Sequence, residues 1–124
     1  MMKSIVPNSR KHDISFDASG KIDISAHIAR KLSLAPGDVI DIVYEYGELY
    51  LYVKLRAGTY TGRHIGQVCA TAHGKGTFRT CSKTLAMAVL RGAEVTGKRL
   101  RCPCGMEVIR DNIKYITIIY RCSL

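Results

Sequence analysis

The sequence predicts a mainly β fold with two short helices, and two observations carry this prediction. Residues 21–53 show the signals of a strand, a short helix, a Pro-Gly-Asp turn and a hairpin, in that order. A similar order of signals returns between residues 68 and 120. With 124 residues, of which 47% are hydrophobic, the chain can bury a core as one domain or as two closely joined halves.

Local signals define the first strand and the first helix. Residues 21–24 alternate polar and apolar side chains, which is the period of a half-buried strand. Ser25 follows at the N-cap position, because its hydroxyl can accept a hydrogen bond from a free N–H group of the first helical turn. Apolar residues at helical spacing continue to Leu32. The helix must end before the segment 35–38, Ala-Pro-Gly-Asp, where proline cannot extend it.

A hairpin follows the helix. A strand begins at Val39, and the tripeptide 46–48, Tyr-Gly-Glu, turns the chain back. In the returning strand, Leu49, Leu51 and Val53 fall on one face, since side chains alternate along a strand. A helix this short needs strands to hold it in place. The whole unit is therefore expected to form half of a small barrel.

A second copy of this unit is predicted in the C-terminal part of the chain. The aligned segments, first unit and then second, are 14–21 with 68–75, 22–24 with 78–80, Ser25 with Ser82, 26–33 with 83–90, and 37–42 with 97–102. A second hairpin follows, with strands at 106–110 and 113–120 around the turn Asp111-Asn112. We therefore divide the chain into residues 1–58 and a more degenerate half, residues 59–124.

The first unit resembles a known family. Its pattern Gly20-Lys-Ile-x-Ile-Ser25, followed by Leu32-x-Leu-x-Pro-Gly-Asp38 and a hairpin ending Leu-Tyr-Leu, is similar to the AbrB/SpoVT/MazE-type swapped-hairpin domain over residues 10–55. The family has Arg where this chain has Lys21, and Pro where it has Ser25. Serine is a good helix cap, whereas lysine keeps the positive charge of arginine but loses its bidentate donor geometry.

This resemblance implies a swapped-hairpin-like β-barrel, in which one unit buries its apolar face by interleaving with a second copy. If residues 64–120 are that copy, the chain is a tandem pseudo-dimer that closes the barrel by itself, as MraZ-type relatives do. A barrel closed in this way has no free edge strands. The alternative is that residues 1–58 dimerise with another chain and residues 59–124 form a separate basic module.

The positive charge is concentrated in one half of the chain. The formal net charge is +9. Residues 1–58 contain eight Lys/Arg and seven Asp/Glu, whereas residues 59–124 contain eleven and three. A basic half beside a nearly neutral half indicates a surface that faces a polyanion, because phosphate neutralisation dominates non-specific affinity for nucleic acid. The simpler interpretation is a solvated basic surface.

The resemblance and the repeat together nominate the side chains that would contact DNA. In the family, cations around the first strand and the helix face the groove and the phosphates. Lys21 matches the strand position, and Arg30 with Lys31 match the helix region. The repeat and the basic run at the second glycine turn add further positions. The full set is Lys21, Arg30, Lys31, Lys75, Arg79, Lys83, Lys98, Arg99 and Arg101. Each of these taken alone could be an ordinary solvated side chain.

The tyrosines of the first hairpin and the cysteines suggest two other kinds of site. Tyrosine at this density is typical of a contact surface, which predicts an interface made by Tyr44, Tyr46, Tyr50 and Tyr52. A zinc site could be built from Cys69, His73, Cys102 and Cys104. However, a single residue between two thiolates is shorter than the usual two to four, and a Pro-Gly turn or bulge explains the Cys-Pro-Cys-Gly run without a metal. We expect Cys81 and Cys122 to be small core residues.

These signals favour a DNA-binding protein that needs no cofactor. We expect a transcription regulator or an antitoxin-like binder of double-stranded DNA, with a toxin-like protein or a second copy as further candidate partners. No phosphate loop, diagnostic acid pair or His-rich metal motif points to an enzyme. The alternative is a structural or protein-interaction module of a mobile element or phage, without DNA binding.

The compartment is predicted from what the sequence lacks. The N-terminus shows no apolar core of a signal peptide, and five cysteines form an odd set for disulfides. No apolar run approaches the roughly 18–20 residues of a membrane span. A cytoplasmic protein without membrane association is therefore expected.

Overall fold

The computed structural model describes residues 13–57, 71–72, 74–93 and 98–120. The elements in chain order are β1 Ile14–Asp17, β2 Lys21–Ile24, α1 Ala26–Lys31, β3 Val39–Glu45, β4 Glu48–Leu55, β5 Thr71–Ala72, β6 Phe78–Cys81, α2 Lys83–Gly92, β7 Arg99–Cys102, β8 Cys104–Arg110 and β9 Ile113–Ile118. The prediction of a mainly β fold with two short helices is confirmed.

The strands form two antiparallel sheets. Sheet A has five strands in the order β5-β6-β2-β1-β7, and sheet B has four in the order β3-β4-β9-β8. Each sheet therefore combines strands from before residue 58 with strands from after residue 70. Within the described ranges both sheets are open, so the closed barrel expected from the family resemblance is not confirmed.

One core lies between the two sheets and the helices. Sheet A contributes Phe16 and Ile22, and sheet B contributes Leu51 and Ile116, all of them fully buried. Both helices place apolar residues against this layer, among them Ile28 of α1. Burying each large apolar side chain contributes about 1.5–3 kcal/mol, so this shared layer dominates the stability of both sheets.

Both predicted helix caps are confirmed. The Ser25 Oγ accepts a hydrogen bond from the N–H of Ile28 at 3.3 Å, and the Ser82 Oγ accepts one from the N–H of Leu85 at 3.1 Å. Each serine satisfies a backbone donor that the first helical turn leaves free. The helix α1 ends before the Pro-Gly-Asp turn as expected. The helix α2 ends at Gly92, two residues beyond the segment 83–90 that the repeat aligns with the first helix.

The two hairpins have the same construction. The strands β3 and β8 have seven residues each, and a constant shift of 65 positions relates the hairpins (39 to 104, 45 to 110, 48 to 113). Each turn has two residues with positive φ, which are Tyr46-Gly47 in the first hairpin and Asp111-Asn112 in the second. Such turns match the right-handed twist of paired strands. Both turns lie where the sequence predicts them.

The strand β7 corrects the predicted alignment of the two units. The sequence pattern aligns residues 97–102 with residues 37–42, which would place both segments at the start of a hairpin. Instead, β7 pairs with β1 at the edge of sheet A, with Ile14 opposite Cys102. The chain passes to β8 of sheet B through Pro103 alone, which has no N–H to extend the ladder. The pattern of apolar residues could not show this change of sheet.

A buried carboxylate holds the junction between β7 and β8. The N–H of Asp13 donates to the carbonyl of Cys102 at 3.0 Å. The Asp13 side chain accepts from the N–H of Cys104 at 2.9 Å. Backbone groups on both sides of Pro103 are thus satisfied at the point where the chain leaves sheet A.

Each sheet also contains an antiparallel pair that joins equivalent positions of the two units. In sheet A, β6 lies beside β2 with Arg79 opposite Asp23, and a shift of 56 positions superimposes their burial patterns (22 on 78, 24 on 80). In sheet B, Leu51 lies opposite Ile116, which are equivalent by the shift of 65 that relates the hairpins. Each of these pairings therefore joins a strand of the first half of the chain to its equivalent in the second half.

Candidate nucleic-acid interface

The outward side of sheet A is rich in cations. Alternation along its strands buries Ile14, Phe16, Ile22 and Ile24 and turns the intervening side chains away from the core. We call this outward side the basic face, and its side chains are Ser15, Asp17, Lys21, Asp23, Arg79, Cys81, Arg99 and Arg101. It holds four Lys/Arg and two Asp.

The centre of the basic face is an ion pair between neighbouring strands. The Nε of Arg79 lies 2.6 Å from Oδ1 of Asp23, and a second contact joins the guanidinium to Oδ2 at 3.4 Å. The hydrogen bond to Asp23 raises the pKa of Arg79. Arg79, a predicted DNA contact, is therefore on the expected surface with much of its charge balanced inside the protein.

A second ion pair lies near the edge of the same face. Arg99 of β7 contacts Asp17 of β1 at 3.2 Å. The N–H of Ser19 donates to the same carboxylate at 2.8 Å. Hydrogen bonds from Ser19, followed by the Arg99 guanidinium, lower the pKa of Asp17 to about 2. The carboxylate therefore stays ionised, and Arg99 also enters the face as one partner of a pair.

Lys21 and Arg101 are the cations of this face that are available to a ligand. Both are exposed, with Lys21 opposite Cys81 and Arg101 opposite Ser15. Neither forms an ion pair with any side chain in the described part of the molecule. Cys81 is exposed here, so the prediction that it is a small core residue is wrong.

Three predicted contacts flank the basic face in loops and at a helix start. Lys83 opens α2 beside Gly20, whose carbonyl accepts from the N–H of Ser82 at 2.8 Å. The carbonyl of Lys98 accepts from the N–H of Ala18 at 2.8 Å, which holds Lys98 at the same end of the face. Lys75 is exposed in the loop before β6, at the opposite end.

Two predicted contacts lie elsewhere. Arg30 and Lys31 form the last turn of α1. The Nζ of Lys31 lies 3.5 Å from Glu107 of sheet B, and the carbonyl of Lys31 accepts from the Nζ of Lys114 at 3.0 Å. The structure thus groups seven of the nine predicted residues around sheet A and connects the end of α1 to sheet B.

The four tyrosines of the predicted interface do not lie on one side of sheet B. Tyr50 and Tyr52 point outward from sheet B, where their rings meet Tyr115 at centroid distances of 6.4 and 4.9 Å. Tyr44 faces the other side, in a groove between β3 and α2, and Tyr46 is in the turn. Tyr115 is absent from the predicted set, because it reaches this cluster only through the pairing of β9 with β4, two strands that are distant in sequence.

We call the outward side of sheet B the tyrosine face, and its side chains are Val43, Glu45, Tyr50, Tyr52, Val108, Arg110 and Tyr115. Glu45 and Arg110 lie on the two outermost strands, yet their side chains meet at 3.2 Å. Since adjacent strands are about 4.8 Å apart, the sheet must curl across this face. A hydrogen bond to Glu48 raises the pKa of Tyr50, and burial raises that of Tyr52.

Two of the four candidate zinc ligands lie in the described part of the chain. Cys102 and Cys104 are buried on either side of the Pro103 junction. The other two, Cys69 and His73, lie outside the described residues. So does Cys122, which the sequence predicts to be a small core residue. Among the residues that the structure does describe, no cluster of three or more His, Cys, Asp or Glu side chains could hold a metal ion.

Comparison with protein-family models, with curated proteins and with solved structures gave no match to this chain. None of the helices in the described ranges is long and apolar enough to cross a membrane. The candidate function therefore depends on the geometry and charge of the two faces.

Proposed function

We propose that this chain is a DNA-binding protein that contacts double-stranded DNA through the basic face. In this proposal it is an AbrB-like transcription regulator or antitoxin-like binder that acts in the cytoplasm. The observation that carries the proposal is the presence of Lys21, Arg79, Arg99 and Arg101 on one outward side of sheet A. Loop cations at both ends extend this surface.

The four cations of the basic face would make two kinds of contact with DNA. Lys21 and Arg101 are exposed and would make direct phosphate contacts, which contribute affinity without sequence preference. Arg79 is held by two contacts to Asp23, and Arg99 is held by one contact to Asp17. Arginines held in this way suit contacts with defined geometry, such as guanine edges or particular phosphate oxygens.

We further propose that the two units form a tandem pseudo-dimer within one chain, in the manner of a swapped-hairpin barrel. The shift of 65 positions between the hairpins, the two serine-capped helices and the pairings of β2 with β6 and of β4 with β9 support this arrangement. In it, a pseudo-two-fold axis passes through both sheets. Both units contribute strands to each sheet, so neither unit would bury its apolar face alone. A monomer in solution is the expected state.

The salt dependence of duplex binding tests the function. We would measure the affinity for a fluorescent duplex by anisotropy between about 50 and 200 mM salt, where phosphate contacts weaken steeply. The double variant Lys21→Ala/Arg101→Ala should reduce the slope of log K against log salt by about 2, since each phosphate contact contributes about one unit. Lys54→Ala is the matched control, because Lys54 is an exposed lysine on sheet B.

The proposal fails if the wild-type protein shows no salt-dependent retention of duplex DNA. It also fails if Lys54→Ala weakens binding as much as the double variant does. The first result would exclude DNA binding, and the second would exclude the basic face as its site.

A second candidate function is a structural or protein-interaction module, as in a mobile element or phage. It is favoured by exposed apolar side chains around sheet B, among them Met106 at 73% and Ile109 at 68% relative exposure. A toxin-like protein would be one such partner. Substitution of Ile109 by Ser should then abolish capture of the partner while duplex binding is unchanged.

A further inference from the structure

Two ion pairs join equivalent positions of the repeated units. On sheet A, Asp23 contacts Arg79 at 2.6 Å. On sheet B, Glu45 contacts Arg110 at 3.2 Å. Asp23 and Arg79 are equivalent by the shift of 56 positions and lie directly opposite each other. Glu45 and Arg110 are equivalent by the shift of 65 positions that relates the hairpins. Both pairs therefore lie on or around the pseudo-two-fold axis.

The signs of these charges follow a rule. In both pairs the first unit supplies the acid and the second unit supplies the arginine. Other side chains near the axis do not distinguish the units in this way, since Val43 faces Val108 and Tyr50 lies near Tyr115 around the same small cavity. The residue types Val43/Val108 and Tyr50/Tyr115 are thus the same in both units, whereas the charged positions are complementary.

This pattern has a consequence for partner choice. In a symmetric dimer of identical units, residues at the axis meet their own copies. Two first units would bring Asp23 against Asp23 and Glu45 against Glu45, and two second units would bring arginine against arginine. Like charges placed opposite each other are destabilising and suppress the wrong partner.

We propose that the Asp23–Arg79 and Glu45–Arg110 pairs make the two units selective for each other, so that residues 13–57 accept residues 71–120 as their partner and reject a second copy of themselves. The inference rests on the proposed pseudo-dimer arrangement and is independent of DNA binding. The recognised partner is a surface with arginine at both axis positions, supplied by the same chain or by another copy of it.

Two full-length variants test this selectivity. The first, Asp23→Arg/Glu45→Arg, has only arginine at the axis, and the second, Arg79→Asp/Arg110→Glu, has only acids. Each variant alone should melt about 2–6 °C below the wild type, because two partly exposed ion pairs are replaced by like charges. Co-refolded at about 1 mM, near the effective concentration of two linked units, the variants should exchange halves and form a 1:1 two-chain complex.

The readouts are native mass spectrometry and light scattering, with each variant refolded separately for comparison. The control chain carries all four reversals, Asp23→Arg/Arg79→Asp/Glu45→Arg/Arg110→Glu, and should regain a melting temperature within about 2 °C of the wild type. The proposal is overturned if the mixture contains only the species of the separate samples, or if the control chain melts as low as the two variants. DNA affinity of the control chain is measured separately, so loss of DNA binding does not bear on this result.

Discussion

The outward sides of the two sheets can be compared directly, because in the proposed pseudo-dimer both are crossed by the same pseudo-two-fold axis. On the basic face, the axis passes through the Asp23–Arg79 pair, and Lys21 and Arg101 are exposed on the same side of the sheet. On the tyrosine face, Glu45 and Arg110 meet above aromatic rings and valines, which close a small cavity. The two outward sides therefore differ, since that of sheet A is open and charged whereas that of sheet B is curled and aromatic.

The difference arises from strand length and side-chain type. The strands of sheet A that flank the axis have four residues and carry short or charged outward side chains. The hairpin strands of sheet B have six to eight residues, so their twist accumulates and brings distant strands together. On the first face, Lys21 and Arg101 are exposed outside the ion pairs of the described residues, whereas on the second face Glu45 and Arg110 are joined in one.

Truncation of a core side chain that lies beneath both faces should have the largest effect on stability. Leu51→Ala should lower the free energy of unfolding by about 2–5 kcal/mol, because Leu51 is fully buried opposite Ile116 on the axis. Urea denaturation should show one transition in which both faces are lost together. Lys54→Ala, on the same strand, is the control and should change stability little. A loss below about 1 kcal/mol would show that the axis is not the common support.

A substitution at the end of the basic face near Lys83 should have a smaller effect on stability. A Cβ atom at Gly20 would lie 3.0 Å from the N of Lys83, and the φ of Gly20 is +108°. Gly20→Ala should therefore cost about 1–3 kcal/mol and weaken DNA binding. The control is Gly47→Ala in the turn of the first hairpin, where φ is also positive but no atom lies within 4 Å. Equal losses for both variants in chemical denaturation would refute the close contact with Lys83.

The tyrosine face can be weakened without change to the basic face. Tyr115→Leu keeps apolar volume but removes the ring contacts to Tyr50 and Tyr52, and should cost about 0.5–1.5 kcal/mol in thermal unfolding. Tyr46→Leu serves as control, because the Tyr46 side chain is 93% exposed and contributes little. Duplex affinity should be the same for both variants. A fall in affinity for Tyr115→Leu would mean that DNA contacts the tyrosine face.

The smallest effect concerns the acid end of the pH range. The folded pKa of Asp17 is about 2, below the ordinary value of 3.8. Its contribution to stability is therefore complete above about pH 3.8 and is lost as the pH falls toward 2. Carboxyl NMR titration should give this value directly, and Asp17→Asn should flatten stability in that window. Arg99→Gln should raise the pKa only in part, because the Ser19 N–H remains. A wild-type value near 3.8 would contradict the observed hydrogen bonds.

Short-range features of the fold could be predicted from the sequence. The serine caps, the two hairpin turns and the buried alternation in residues 21–24 depend on neighbours along the chain, so local patterns are sufficient. The position of β7 could not be predicted in the same way. Periodicity shows which side chains share a face but does not show which strand lies beside another. Residues 99–102 therefore fit the pattern of a hairpin strand and yet pair with β1.

The sequence was sufficient to nominate the cations of the candidate site but not to predict which acidic side chains they contact. Seven of the nine nominated cations surround sheet A. The partners of Arg79 and Arg99 are distant in sequence, however, at Asp23 and Asp17. No local pattern connects such residues, so the balance of charge on the basic face depends on the strand register. The nomination of Arg30 and Lys31 followed the family resemblance and placed them on a surface from which the fold separates them.

The strand β7 also makes the two edges of the basic face unequal. It carries Arg99 and Arg101 at one edge of sheet A, whereas the corresponding segment of the first unit, residues 34–37, is an irregular turn. Symmetric repressors read inverted repeats because operator symmetry mirrors protein symmetry. A surface that carries more positive charge at one edge than at the other has only one favourable orientation on a duplex. If the proposed function holds, its binding site would be non-palindromic, and the bound protein would point one way along the DNA.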